Sequence, residues 1–265
     1  MSSPIWTPAA LRSEARPRAG TGWRLVEAQH RVSTMKLVDT LAEQALLEDE
    51  IERTKPPGPA ECAGLHYLLA TPFRYGRYPG SSRFRREGWS PGVFYASEAV
   101  ATAVAETVFY RLLFFAESPA TPLPRNPLEF TGFEAAYAVD LGLDLTQAPL
   151  ARDADAWTLL ADYSACLDLA DAAREAGVTL IRYRSVRDPA AGANLALLSC
   201  TAFSAPAPLA RATWRIALSG TGAIALGDAP GERLGFSWAD FAGDPRAASR
   251  FSGPPGSSPP PSPRS

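Results

Sequence analysis

The stretch GVFYASEAVATAVAETVFYRLLFF, residues 92–115, decides the fold class. Gly92 to Ser97 reads as a short strand that runs into a helix start. From Glu98 to Phe115 there is no Gly or Pro, which leaves room for about five helical turns. Ser97 stands where a capping side chain would satisfy the first free N–H groups. Apart from Glu98, Glu106 and Arg111 this helix is apolar almost all round, so it is expected to be buried. On its N-terminal side, HYLLAT (66–71) reads as a strand. On the other side, after a Pro-broken loop, AAYAVDL (135–141) reads as a strand and Asp162 to Glu175 as a helix stopped by Gly177. VTLIRYRSV (178–186), ANLALLS (193–199) and TWRIALS (213–219) follow as strands. Strands outnumber helices and do not alternate strictly with them, so the class is α+β and not a doubly wound α/β sheet.

Further out, Trp23 to Thr54 carries Leu25, Val32, Met35, Val38, Leu41, Ala45 and Leu46 near helical spacing. Two helices are expected there, the second restarted by a capping box from Thr40 to Glu43. KPPGP (55–59) then ends the helix, because proline cannot continue it. Residues 1–21 lack periodicity, and the final GPPGSSPPPSPRS is rich in proline without a backbone donor. The expected organisation is a disordered tail over 1–21, a helical extension over 22–60, a domain over 61–245 and a disordered Pro/Ser-rich tail over 246–265.

With 265 residues, 46% of them hydrophobic, the chain is long enough to bury a core of its own. A formal net charge of −2 gives no overall positive excess for a nucleic-acid backbone, so nucleic acid is not an expected partner. Lys36 and Lys55 are the only lysines; every other basic residue is arginine. Cys62, Cys166 and Cys200 are widely spaced, and with His30 and His66 they form neither a metal-ligand cluster nor a disulfide framework. No metal is expected, and a reducing cytoplasm is the default location. No signal peptide or membrane-spanning run is read in the sequence.

Glu106 is the residue that needs explaining. A carboxylate in the middle of a buried helix costs several kcal/mol of desolvation unless it is paired or faces a wet cleft. Either it belongs to a site or it makes a structural ion pair with an arginine of the preceding segment. That segment, GSSRFRREGW, carries Arg83, Arg85 and Arg86 in a Gly/Ser-rich loop. Guanidinium groups match phosphate oxygens bidentately, though a cluster of this kind also occurs on solvated faces. Gly220-Thr-Gly222-Ala-Ile-Ala225 fits a dinucleotide fingerprint but lacks the helix and second strand it needs, so it reads as a glycine turn after a strand. No GxSxG, P-loop or HExxH is present, and His66 reads as a packed histidine and not a base.

Four elements recur here in a fixed order: Ser82-Arg83-Phe84 in the loop, the tyrosine strand Val93-Phe94-Tyr95-Ala96-Ser97, the helix segment Thr102-Ala-Val-Ala-Glu106, and Tyr183-Arg-Ser185-Val-Arg-Asp188 followed by Gly192-Ala-Asn194. In this order the chain from about His66 to Phe236 resembles the RES domain family, named for its Arg, Glu and Ser. It departs from the family in having Phe84 where many members have Trp, and Arg85 where asparagine is common. The resemblance implies an ADP-ribosyltransferase-like mixed sheet core with flanking helices. It implies NAD+ as a substrate, with no cofactor, and cleavage of the nicotinamide–ribose bond with water or phosphate as acceptor, as in toxins blocked by an antitoxin, here an Xre-like one. Glu106, Arg83 and Ser185 are then the expected catalytic residues. Arg83, Tyr95, Ser185 and Asn194 are expected to bind NAD+, with Arg74 of TPFRY as a secondary candidate. Cleaving this bond develops an oxocarbenium cation, which an ionised Glu106 would stabilise. Arg83 would hold the pyrophosphate, Tyr95 would meet the nicotinamide ribose, and Ser185 would donate to the nicotinamide or a phosphate. On their own, Tyr95 would read as a core residue and Ser185 as a turn residue. Two other readings remain open: transfer of ADP-ribose to a protein through the same site, and a non-catalytic interaction protein whose N-terminal helices cover it.

Overall fold

The computed structural model describes residues 6–28, 38–54, 56–89, 91–118 and 120–247. Helices α1 (Pro8–Glu14), α2 (Leu41–Thr54), α3 (Tyr67–Arg74), α4 (Val100–Glu117) and α5 (Ser164–Glu175) surround a mixed eight-stranded sheet. The sheet is built from β1 (Arg16–Glu27), β4 (Phe94–Ser97), β5 (Leu128–Asp144), β6 (Leu180–Arg184), β7 (Ala193–Leu197), β8 (Ala210–Ser219), β9 (Gly222–Gly227) and β10 (Arg233–Ser237). β2 (Arg77–Tyr78) and β3 (Gly88–Trp89) pair separately. The class is α+β, as expected. Only the β5–β6 pairing is parallel; every other pair is antiparallel.

The long strand β5 organises the sheet. One edge pairs with β1 through eleven residue pairs, from Glu27–Phe130 to Arg16–Gly142. The other edge takes β8 along its first half and β6 at its end. β1 also meets β4 at the single pair Trp23–Ser97, so β1, β4, β7, β6 and β5 close into a ring. Alternation builds this surface: Phe133, Ala135, Tyr137 and Val139 are buried at every second position of β5, and Trp214, Ile216 and Leu218 on β8. α4 packs against β8 and β9 through Val104, Val108, Phe109 and Leu112, and this buried apolar face keeps the helix in place.

Several expectations need correction. Residues 1–21 are not all an irregular tail, since α1 buries Leu11 and β1 begins at Arg16; residues 1–5 lie outside the described part. Of the expected helical extension over 22–60, Trp23–Glu27 is strand, and among its described residues Leu41–Thr54 is α-helical. The reason is long-range: Gly20 and Gly22 let β1 lie close to Tyr137 and Leu195, where an added Cβ would come within 2.9 and 2.8 Å. Met35 and His30 fall outside the described residues. The capping box is present, with Glu43 N–H donating to Thr40 Oγ1 and Thr40 N–H to Glu43. HYLLAT is helix and not strand, because Leu69 and Phe73 bury at a four-residue interval and His66 caps the start by accepting from Leu68 N–H. Ser97 does not cap α4; its hydroxyl turns to Asn194. Cys62 and Cys200 form a disulfide between the turns Ala60–Cys62 and Cys200–Ala202, with Cα atoms 5.4 Å apart, a pairing that their spacing of 138 residues does not reveal. Arg246 and Ala247, assigned to the C-terminal tail, pack onto the domain, Arg246 on Asp244 and Ala247 in the core beside Phe241. Residues 248–265 lie outside the described part.

Gly92 sets how closely β4 approaches α3. A Cβ there would sit 2.0 Å from the Pro72 carbonyl oxygen and 2.7 Å from Phe73 Cα, both backbone atoms that cannot step aside alone. Gly92→Ala is therefore expected to cost about 1–3 kcal/mol in urea unfolding; a variant as stable as the parent would contradict this packing.

Candidate active site

β4 and β7 bring Ser97 and Asn194 opposite each other, and α4 leaves the end of β4 across the same edge. The loop after β6 then folds onto α4. Thr102 Oγ1 donates to Asp188 at 2.7 Å, and Gly192 leaves the room: a Cβ there would come within 2.2 Å of Thr102 Oγ1. One helical turn further on, Glu106 Oε1 accepts from Ser185 Oγ at 2.7 Å and from Asn194 Nδ2 at 2.6 Å. Both partners are buried and themselves fixed. Ser185 Oγ accepts from the N–H groups of Arg187 and Asp188, and Asn194 Oδ1 accepts from Ser97 Oγ. Glu106 has no ion pair with a described residue. Its Oε1 is held by neutral donors, and no described residue binds Oε2.

Glu106 lines a cavity of about 820 Å³ between α4, β1, β4 and the loop of Ser81–Arg85. The cations in its wall are Arg24, Arg83, Arg85, Arg111, Arg187 and Arg246. Arg111 pairs with Glu27, and Arg187 and Arg246 share Asp244. Arg24, Arg83 and Arg85 have no carboxylate partner among the described residues. These three charges in the wall shared with Glu106 suit the cleft to an anionic ligand.

The three unpaired arginines are held differently. Arg83 is buried and donates to the carbonyls of Trp157 at 2.7 Å and Leu159 at 3.0 Å, with its guanidinium 4.7 Å from the centre of the Tyr163 ring. Much of its donor capacity thus fixes the cleft wall. Arg85 stacks on Tyr78 at 3.8 Å and donates to Gly80 O, while its Nε has no partner among the described residues. Arg24, on β1, makes one hydrogen bond among the described residues, to Tyr95 O, and lies over the Phe94 ring. Burial pushes its guanidinium down to about 10, with the nearby Tyr95 acting the other way, and it remains cationic at neutral pH. Arg86 is spent on the surface between Asp168 and Asp171.

Of the sequence-derived candidates, Glu106, Ser185, Asn194, Arg83 and Tyr95 converge, the first three through direct hydrogen bonds. The Tyr95 hydroxyl shares a hydrogen bond with Ser82 Oγ and accepts from Phe84 N–H, so it positions the arginine loop. Burial raises its phenol pKa. Arg74 does not join them; it ends α3, donates to Pro56 O and is absent from the cleft wall. Sequence reading missed Arg24, which lies in a strand taken for helix. It also missed Tyr110 and Tyr163, which both line the cleft wall. Burial alone would raise the Tyr163 phenol, but Arg246, Arg83 and Arg187 bring it below its usual value. No group of three or more potential metal-ligating side chains occurs among the described residues.

The RES domain family model matches residues 59–219, well over half of the chain, and the chain belongs to that family. The matched residues include Arg83, Tyr95, Glu106, Ser185 and Asn194 but not β1 with Arg24. Among solved structures, a chain of the M. tuberculosis MbcT-MbcA toxin-antitoxin complex is similar, with 16% identity over 71% of this chain and 80% of that one, at a TM-score of 0.40. No curated protein matches the chain.

Proposed function

We propose that this RES domain protein cleaves NAD+ at the bond between nicotinamide and ribose, with water or phosphate as acceptor. The observation that carries the reading is Glu106, with one oxygen anchored by Ser185 and Asn194 and the other left for a ligand, in a cleft with three arginines unmatched by carboxylates among the described residues. As the C1′–N bond breaks, its electron pair stays with nicotinamide, which leaves neutral, and positive charge develops on the ribose. Glu106 Oε2 stabilises that charge. The oxygen of water or phosphate then bonds to C1′ and a proton is released to solvent. Ser185 and Asn194 are positioning residues, acting through Glu106. Arg24 and Arg85 bind the pyrophosphate, and Arg83 adds its charge from the wall.

Family membership supports the toxin role; an Xre-like antitoxin would cover the cleft, and cytoplasmic NAD+ is the pool the toxin would act on. Among the described residues no helix is long and apolar enough to cross a membrane. The described residues of the expected N-terminal extension that line the cleft are Trp23–Glu27 of β1.

The test is nicotinamide release from NAD+ by the purified protein, with and without phosphate, beside Arg24→Ala. Losing a charge-assisted hydrogen bond of about 1.5–3 kcal/mol predicts a KM for NAD+ raised roughly 10- to 100-fold. An unchanged KM removes Arg24 from the site. No release by the parent protein overturns the cleavage reading, and labelled protein after incubation of a lysate with labelled NAD+ would shift it to ADP-ribosyl transfer.

A further inference from the structure

Helix α4 is buried along most of its length, yet two of its large aromatic residues stay half in solvent: Tyr110 at 51% and Phe114 at 50% exposure. They follow Glu106 at four-residue intervals, so the three side chains form one stripe, each step about 6 Å further along the helix. All three line the cleft. The two rings are set differently. Tyr110 shares the cleft wall with Tyr163 and meets Phe109 edge-on at 5.2 Å, whereas Phe114 meets only Phe115, edge-on at 5.1 Å, among the described aromatic residues. Between them along the chain, Arg111 pairs with Glu27 of β1 and lies over Phe130. The cleft therefore runs from a polar end, at Glu106, to an aromatic end rimmed by an ion pair.

We infer that Tyr110 and Phe114 form the subsite for the adenine ring of NAD+, an assignment that deepens the proposed cleavage reading and rests on it. Nicotinamide is bonded directly to the carbon on which Glu106 acts, so it cannot reach a side chain about 12 Å away along the helix. The second ring system of the dinucleotide lies beyond two riboses and a pyrophosphate, and it is the one planar aromatic group left to cover the exposed aromatic surface. Stacking on such rings tolerates any base, and the Arg111–Glu27 pair at the rim offers both donors and an acceptor to the base edge.

The experiment compares NAD+ with nicotinamide mononucleotide, which has the scissile bond but no adenylate, in the full-length protein and in Phe114→Ala and Phe114→Leu; AMP binding is measured by calorimetry on the same proteins. The half-exposed position makes both variants foldable. Phe114→Ala is expected to raise KM for NAD+ about tenfold with kcat within twofold. It should leave both constants for the mononucleotide within twofold and weaken AMP binding by the same factor as NAD+. Phe114→Leu, which keeps apolar bulk but loses the ring face, should fall between. Equal effects on both substrates, or none on either, overturn the assignment. If the parent cleaves neither substrate, the cleavage reading fails by itself; AMP binding then decides, and its absence or its indifference to Phe114→Ala overturns the adenine subsite.

Discussion

Glu106→Gln is expected to slow nicotinamide release by about 10²- to 10³-fold while leaving the protein folded. Glutamine keeps the shape of the side chain and a carbonyl oxygen that accepts from Ser185 and Asn194, so the hydrogen bonds at Oε1 survive the change. What disappears is the negative charge that faces the developing ribose cation. The effect should fall on kcat more than on KM, since the charge matters most when the cation forms. Ser185→Ala should cost less, because Asn194 still anchors the carboxylate. A Glu106→Gln protein that retains more than a tenth of the parent rate, with an unchanged melting profile, would mean that another group carries the chemistry.

The largest expected loss of stability comes from Asp244→Ala. The Asp244 side chain is 1% exposed and accepts from Arg187 Nη1 at 2.5 Å and from Arg246 Nη2 at 2.9 Å. Arg187 is itself only 3% exposed, stacked on Phe109, and otherwise hydrogen-bonded to the Leu160 carbonyl. Without Asp244 its charge stays buried and uncompensated, at a cost of about 3–5 kcal/mol. In a domain of this size that lowers Tm by roughly 6–20 °C. Burial alone would raise the Asp244 carboxyl, but its hydrogen bonds with Arg246 and the charges of Arg187 and Arg246 bring it below the usual value. A carboxyl with a depressed folded pKa contributes stability that is complete above its unfolded value, near 4, and is lost as the pH falls through the folded one. Melts at pH 7 and pH 3 should show the parent losing part of its advantage over the variant at the lower pH. A constant difference between the two would contradict this.

The strand and helix of residues 92–115 were legible because a run without Gly or Pro between a strand and a loop leaves few choices. Their bounds shifted by two residues, and Ser97 turned from the helix start to Asn194, since a buried amide needs its own partner. Glu106, Ser185 and Asn194 were found through the ordered family motif; no local periodicity brings together residues 79 and 88 positions apart. β1 was illegible for a related reason. Its conformation is imposed by β5, more than a hundred residues away, and its glycines look like loop residues until Tyr137 and Leu195 are placed against them. Arg24 was lost with it. Arg83 was picked out for its charge, yet much of its hydrogen bonding goes to the Trp157 and Leu159 carbonyls, acceptors that no reading of its own loop could supply.

The closed ring also has a temporal side. β1 is synthesised first, but Trp23 pairs with Glu134, 111 residues later. At roughly 5–20 residues per second a ribosome needs about 6–22 s to make that interval. During that time the nascent chain carries β1 without its partner, and Arg24 has no cleft to face. The anchors of Glu106 come later still, at Ser185 and Asn194. An enzyme able to consume NAD+ would therefore stay inert for most of its own translation and acquire its site only as the last strands of the ring emerge.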